Sequence, residues 1–522
     1  MRNSVLKRML AMAMSFVMTV SAIPLKVSAE GEEAELVYGA ADKTITGLGT
    51  GAIGDPAEPK DTITDDKYYG EYWSGSFVYY GKYDFEKNGE NQTIQVKYRV
   101  LDKDTVKYSA NEGNGRHTML LDCNNTLYTE RYAPEGWTAD KAEYYDFWKE
   151  SEIKSSLNTD AFYNRKLSNG DYGLTSAEKQ AIAPSYVETW AYEPDADDCF
   201  WWIDGTYRYY TGLYGEKVFL LDAYDAHDPE YGYLKRDVRN NSRIKISVAH
   251  PDPENVDVEN DPYHALSYWW LRSVRHDPSV YKEMGAISNY GNRFDFVVGY
   301  DYNKYGISPA FNVALDSVIF TSEAGESDFG KEYKLTLSDN AIHASVDSRG
   351  VVIEGNKVTI PYTVSGGNAK NVNRLSVLLT DKPYVPGECR TSGYTYLKVT
   401  AMNAYSGNGS GFFYLPSEYA GKKWGSDFYA YIVAEDVNDE YESDYASLPT
   451  EFKYLERYTV SFDACGHGTA PDAQTVIEGD KAVEPDDLSE EGYIFEGWYE
   501  DEEYTSEYDF DEAVSESMTL YA

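Results

Sequence analysis

Asp222, Asp225, His227 and Asp228 form the densest group of metal-ligating and acid–base side chains in the chain. Carboxylates closely spaced on a loop are the chemistry of calcium, which makes Asp222, Asp225 and Asp228 the candidate ligands for a cation. Their spacing departs from the twelve-residue calcium loop, and a solvated acidic loop accounts for the same residues. No other cofactor is indicated. The seven histidines are scattered, and none stands in H-E-x-x-H or a comparable array. Glycoside hydrolysis needs two carboxylates at a set separation, which a sequence this acidic can supply but cannot display. A carboxylate-dependent glycan hydrolase therefore stays an alternative, and the leading reading is not an enzyme.

The second chemistry is recognition by aromatic rings. Between Tyr68 and Phe320 the chain carries paired aromatics at Tyr79-Tyr80, Tyr144-Tyr145, Trp201-Trp202, Tyr209-Tyr210 and Trp269-Trp270. Tyr and Trp offer rigid amphipathic area, suited to sugars or protein surfaces, and equally to a core that hydrogen-bonds at its rim. Trp269, Tyr281, Tyr290, Asn292, Tyr300, Tyr302 and Tyr305 are the candidate ligand-binding residues, because rings beside polar groups on loops can stack on a sugar and bond its hydroxyls. Arg272 is expected to pair with a buried carboxylate, for which its planar guanidinium is suited. Trp148, Trp270 and Pro309 are expected to serve structure.

Charge and export narrow the partners. Lys plus Arg number 47 against 88 Asp plus Glu, a formal net charge of -41 that repels nucleic acid and anionic membranes. Arg2, Lys7 and Arg8 precede an apolar run from Met9 to Ile23, and Val27-Ser28-Ala29 offers a small-residue cleavage site. This order reads as a signal peptide over 1–29, too short for a spanning helix, and no later segment is expected to cross a membrane. The expected location is extracellular or on the cell surface. Cys123, Cys199, Cys389 and Cys465 are far apart and form no C-x-x-C pair, so neither a disulfide framework nor structural zinc is expected.

These side chains need elements to hold them, and 522 residues exceed one ordinary core. A Gly- and Pro-bearing stretch over 30–66 reads as a flexible lead-in. Strands are expected at Ser76–Tyr83, Ile94–Leu101, Thr118–Leu121 and Lys217–Leu221, with helix between Asp146 and Ala183 and a Thr175/Glu178 capping box. The Tyr- and Trp-rich segment before Lys217 reads as loop. Beyond Val318, short β-prone runs divided by Gly, Asn and Asp imply an all-β, immunoglobulin-like sandwich over 321–455.

Two resemblances add to this reading. Ile153–Asn158, Phe162-Tyr163, Leu174–Lys179, Val218–Asp222, Tyr268–Ser273 and Gly306–Phe311 occur in the order of an uncharacterised domain of exported, multidomain proteins of gut Firmicutes, known by a Trp-Leu-Arg-Ser … Gly-Val-Arg-Pro-Ala pattern. The resemblance covers about 67–320 and implies an α+β domain, with a further likeness to C-type-lectin-like folds. Ser308 stands where that pattern has Arg, so an acidic partner of that Arg must be satisfied otherwise. Tyr458–Ala464, Gly492–Tyr499, Tyr508–Phe510 and Met518–Ala522 resemble the Listeria–Bacteroides repeat of the internalin B-repeat type. That likeness implies a small β-grasp-like unit over 456–522, with Phe462, Phe495, Gly497 and Trp498 in structural roles and Cys465 a free thiol. The combined expectation is a multidomain, secreted or cell-surface binding protein whose partner is a glycan or a protein surface. A structural envelope component is the other alternative.

Overall fold

The computed structural model of the protein describes residues 43–59, 72–87, 89–106, 116–132, 147–193, 206–234, 241–249, 268–275, 283–288, 293–297 and 304–522. The expected signal peptide lies outside them, and all belong to the compact unit Ala40–Ala522. The protein is mostly β, with sheets of twelve, seven, five and three strands among the described residues.

The largest sheet starts from the alternation of Ile94, Val96, Tyr98 and Val100, which sends Val96, Tyr98 and Val100 into the core. Their strand, Glu90–Thr105, lies between Thr118–Cys123 and Phe77–Lys87. Ala310–Ala314 closes one side against Thr118–Cys123. On the other side Phe77–Lys87 pairs in parallel with Gly330–Ser338, which pairs in parallel with Asp444–Ala446. Tyr429–Asp436, Arg374–Thr380 and Tyr394–Lys398 continue the same sheet. The boundary expected at 320/321 falls within strand Val318–Ser327, which pairs antiparallel with Gly330–Ser338. Past it, the five-stranded sheet around Lys357–Ser365 and Gly407–Tyr414 shares a core with these last strands: Val358, Ile360 and Val364 meet Leu375, Val377, Ile432 and Ala434.

Part of the expected flexible lead-in is packed instead. Gly47–Leu48 pairs with Val318–Ser327, and Ile45, Leu48 and Ile53 are buried. The glycines there serve close approach: a Cβ at Gly51 would lie 2.5 Å from the backbone nitrogen of Arg390. Lys43 is buried against Glu435 at 2.6 Å and Asp444 at 3.0 Å, tying this segment to the far strands. Burial opposes the charge on Lys43, but the two carboxylates outweigh it and hold the amine above its ordinary range.

The helical region resolves into short helices, Phe147–Glu150, Glu152–Leu157 and Ser176–Ala181. Trp148, Ile153 and Leu157 are buried. Ser151 caps the second helix, and the capping box of Thr175 and Glu178 starts the third. Buried Glu178 also accepts from Gly81 N–H at 3.0 Å and Ser443 Oγ at 3.0 Å, so one cap serves three segments. Lys217–Leu221, expected as a strand, makes only an isolated bridge at Phe219. The carbonyls of Val218 and Leu220 go to side chains instead, Asn158 and Arg272. The segment expected as loop holds the antiparallel pair Ser185–Glu193 and Thr206–Glu216, in the seven-stranded sheet with Trp269–Arg275.

The C-terminal unit has three strands, Gln474–Ile477, Arg457–Asp463 and Met518–Tyr521. Trp498 lies in its core beside Val460, Val476 and Leu520, with edge-on contacts to Phe462 at 4.9 Å and Phe495 at 5.6 Å. Phe495 and Tyr499 are only half-buried. Gly497 has φ 151°, and a Cβ there would press on Glu507 Oε1 at 3.3 Å. So small a core depends on its largest ring. Trp498→Ala is expected to destabilise this unit by about 3–5 kcal/mol. Differential scanning calorimetry of the chain should show one transition lost or lowered while the others stay in place.

Candidate functional site

Arg272 is the junction of the seven-stranded region. It lies on strand Trp269–Arg275 and is 1% exposed. Its Nη2 is 3.1 Å from Asp225 Oδ2 and 3.4 Å from Asp222 Oδ2. Nη1 donates to the Leu220 carbonyl, and Nε and Nη2 donate to the Glu188 carbonyl at 3.1 and 2.6 Å. The main chain of Arg272 also donates to the Leu221 carbonyl at 3.0 Å. The apolar run Lys217–Leu221 is thus held by Arg272 at Leu220 and Leu221, by the Asn158 amide at Val218 and by a bridge to Ala310 at Phe219, where a continuous ladder was expected.

The two aspartates close on each other. Asp225 N–H donates to Asp222 Oδ1 at 2.8 Å, and Asp222 N–H donates to Asp225 Oδ2 at 3.1 Å. Asp228 points elsewhere and accepts from Glu230 N–H at 3.0 Å, capping the next turn. The three proposed calcium ligands therefore do not converge, and among the described residues no group of three or more His, Cys, Asp or Glu is arranged to hold a metal. Burial, then the neighbouring Asp225 charge, raises Asp222 to about 7 against the pull of Arg272.

A second buried charge explains Ser308. Asp122 accepts from Lys245 Nζ at 2.6 and 2.7 Å and from the Tyr233 hydroxyl at 2.6 Å. Lys245 also donates to the Cys123 carbonyl at 2.8 Å, while Ser308 Oγ donates to that carbonyl at 3.0 Å. Lys245, from a segment 63 residues earlier, thus supplies a buried cation beside Ser308. Burial pushes its amine down to about 8 even with Asp122 opposing. Pro309 is buried, and its carbonyl accepts from Cys123 N–H at 2.9 Å. Cys123 and Cys465 are free thiols, and Cys199 lies outside the described residues.

Of the expected ligand residues, Trp269 is corrected. It is 1% exposed, donates to the Arg243 carbonyl at 3.1 Å and stacks on Lys245 at 4.3 Å, so it is a wall of the Lys245 site. Trp270 is also buried and donates to the Glu130 carbonyl at 2.9 Å. Both faces of their strand are covered, so alternation sends neither ring to solvent. Tyr305 is half-buried and packs on Trp270 at 4.7 Å and Tyr268 at 5.3 Å. Tyr281, Tyr290, Asn292, Tyr300 and Tyr302 lie outside the described residues.

The structure offers a different aromatic face. Along Ser185–Glu193, Val187 and Thr189 are buried while Tyr186, Glu188 and Trp190 are half-exposed, the period-two pattern of a strand. The Tyr186 ring lies over Gly212, where a Cβ would fall 2.1 Å from its hydroxyl oxygen. It meets Tyr214, 61% exposed, at 4.3 Å between ring centres. Trp190 meets Tyr224, 42% exposed, at 5.9 Å, and its indole N–H donates to Glu188 Oε2 at 3.2 Å. Four residues of strand place the two ring pairs roughly 13 Å apart. Arg272 holds this strand from beneath through the Glu188 carbonyl, and Asp222 Oδ2 accepts from Trp190 N–H at 3.0 Å. The buried node and the exposed rings are one construction. The alternation Tyr-Val-Glu-Thr-Trp was the available signal for this face.

Residues 120–315 match a domain of unknown function (DUF6273), and this span contains the node, the aromatic face and the Ser308 site. Residues 458–522 match the Listeria-Bacteroides repeat domain, which points to a surface-associated protein. Two proteins of Evansella cellulosilytica, described as inferred membrane proteins and the second as Gly-rich, are each 39% identical over 69 residues, 13% of this chain. The matched stretch is 10% of the first relative and 8% of the second, so the chain spans about a tenth or less of their length. No helix among the described residues is long and apolar enough to cross a membrane.

Two predictions follow from the node. Arg272→Ala leaves two buried carboxylates facing each other and is expected to cost about 3–5 kcal/mol in chemical denaturation. Asp222 gives the pH dependence. Its raised folded value means that the native state keeps a proton which the unfolded chain releases at about 4. Its contribution is therefore complete below about pH 4 and lost as pH rises through about 7. Denaturation midpoints of Asp222→Asn should fall less steeply than those of the parent across this window.

Proposed function

We propose that this is an exported, surface-associated modular binding protein whose 120–315 region recognises neutral glycans through the face of Tyr186, Trp190, Tyr214 and Tyr224. The observation carrying the reading is two ring pairs that begin at the half-exposed Tyr186 and Trp190 of one strand, with Glu188 between them, on a strand fixed from below by Arg272 and Asp222. Rings stack on the apolar faces of sugars, and a carboxylate accepts from their hydroxyls. Rigid support limits the ordering cost that binding must overcome. The net charge of -41 disfavours sulfated, sialylated or uronic-acid glycans. We further propose a lectin-like unit over 67–320, an immunoglobulin-like sandwich over 321–455 and a β-grasp-like repeat over 456–522. Tyr268 and Tyr305 of the same sheet, both half-buried, would extend the recognition surface.

Glycan arrays probed with the chain, followed by calorimetric titration of the best neutral oligosaccharide, test this reading. Trp190→Ala and Tyr214→Ala should each weaken binding about tenfold, or ~1.4 kcal/mol. The melting temperature should hold for Tyr214→Ala, whose ring is largely exposed. Parent affinity in both variants would remove the face from the reading. Shortening of the bound oligosaccharide would shift the assignment to a hydrolase.

A further inference from the structure

The C-terminal repeat contains an open cleft lined largely by aromatic side chains. It has a volume of about 360 Å³ and is lined by His467, Tyr493, Phe495, Tyr499 and Tyr504, with Glu490 and Glu496 at its edge. Its rings are unusually open: Tyr493 is 61% exposed, neighbouring Ile494 89% and Tyr504 47%. The His467 and Tyr493 rings lie 3.9 Å apart, and Tyr504 meets Tyr499 edge-on at 5.7 Å.

The backbone points to the same place. Among the described residues, the non-glycine residues with positive φ are Cys465, at 50°, and Tyr504, at 57°. Tyr504 lines the cleft, and Cys465 follows Ala464 of its wall and contacts the Tyr504 hydroxyl. A bulky side chain rarely adopts this conformation, and such strain persists only where surrounding structure enforces it. Asp501 does so here. Its carboxylate accepts from Glu503 N–H at 3.0 Å, Thr505 N–H at 3.1 Å, Ser506 N–H at 2.8 Å and Thr505 Oγ1 at 3.0 Å, binding up the turn that presents Tyr504.

Charge narrows the ligand. Residues 458–522 hold 19 Asp and Glu against a single lysine, Lys481, and no arginine. We propose that this cleft receives the lysine or arginine side chain of a basic peptide segment on a partner protein. The tyrosine rings take the cation on their faces, and Glu490 and Glu496 balance its charge. A neutral sugar would stack on the same rings but gain nothing from the carboxylates, and an anionic ligand would be repelled. The site is separate from the aromatic face of the 120–315 region and does not depend on its ligand.

The test is fluorescence anisotropy of the full chain with a labelled decapeptide of alternating Lys and Gly, its lysine-acetylated form and a Glu–Gly peptide. Saturable binding of the Lys–Gly peptide alone is expected. Tyr493→Ala and Tyr504→Gly should each weaken it about threefold to tenfold. Tyr504→Gly should keep or raise the melting temperature, because glycine suits φ 57°, so loss of binding there is not loss of fold. Trp190→Ala should bind the peptide like the parent. No binding, equal binding of the acetylated peptide, or parent affinity in both tyrosine variants would overturn the proposal. So would a neutral oligosaccharide whose binding is lost in Tyr493→Ala.

Discussion

The guanidinium of Arg272 joins several segments of the seven-stranded region at one point. It sits on a central strand and reaches the turn at Asp222 and Asp225, the carbonyl of Leu220 and the carbonyl of Glu188. A ladder bond joins adjacent strands only, whereas this fork joins a strand, a turn and a carbonyl lying in different directions. Lysine, a single point of charge, could not meet the carbonyls and the carboxylates at once. The exposed rings of Tyr186 and Trp190 stand on the strand so gripped, so their spacing is set by a residue that never reaches solvent.

The same device recurs where distant parts of the chain meet. Lys245 joins its segment to Asp122 and Ser308, and Lys43 joins the start of the described chain to Glu435 and Asp444. Removing one member of such a pair leaves an uncompensated charge in the interior, which is costly even where the pair itself contributes little net stability. That asymmetry suits register: an alternative packing that separates the partners is strongly disfavoured. Beside Ser308 the cation comes from Lys245, and the buried carboxylate of Asp122 is satisfied by it.

What could be read from the sequence follows the range of the interactions. The capping box at Thr175 and Glu178 spans one helical turn and was legible. So was the alternation of Val96, Tyr98 and Val100. Arg272 was legible as a residue type that needs a buried partner, although its hold on the Leu220 and Glu188 carbonyls was not. Trp269 reads as a ligand contact from its residue type alone, whereas it lies on a strand covered on both faces. Lys217–Leu221 is apolar like a buried strand but has an arginine for a neighbour where a strand would have a ladder. The glycines near Gly47 and Gly51 signal flexibility in isolation and close contact once Arg390 is in place. The face of Tyr186 and Trp190 was overlooked because aromatic density concealed a period of two.

The chain uses its aromatic residues in two electrostatic settings, and the difference decides what each can bind. In the 120–315 region the rings frame a single carboxylate, Glu188, that is already engaged by the Trp190 indole. What is left for a ligand is mainly ring surface and hydroxyl bonding, which are short-ranged and little affected by salt. In the C-terminal repeat the rings lie in a field made by 19 acidic side chains opposed by one lysine. Such a field attracts cations from beyond contact distance, and it weakens as the screening length falls from about 10 Å at 0.1 M salt to about 3 Å at 1 M. The acidic charge therefore does not act equally everywhere. On the proposed readings it disfavours anions at both sites, and only at the second would it add to affinity.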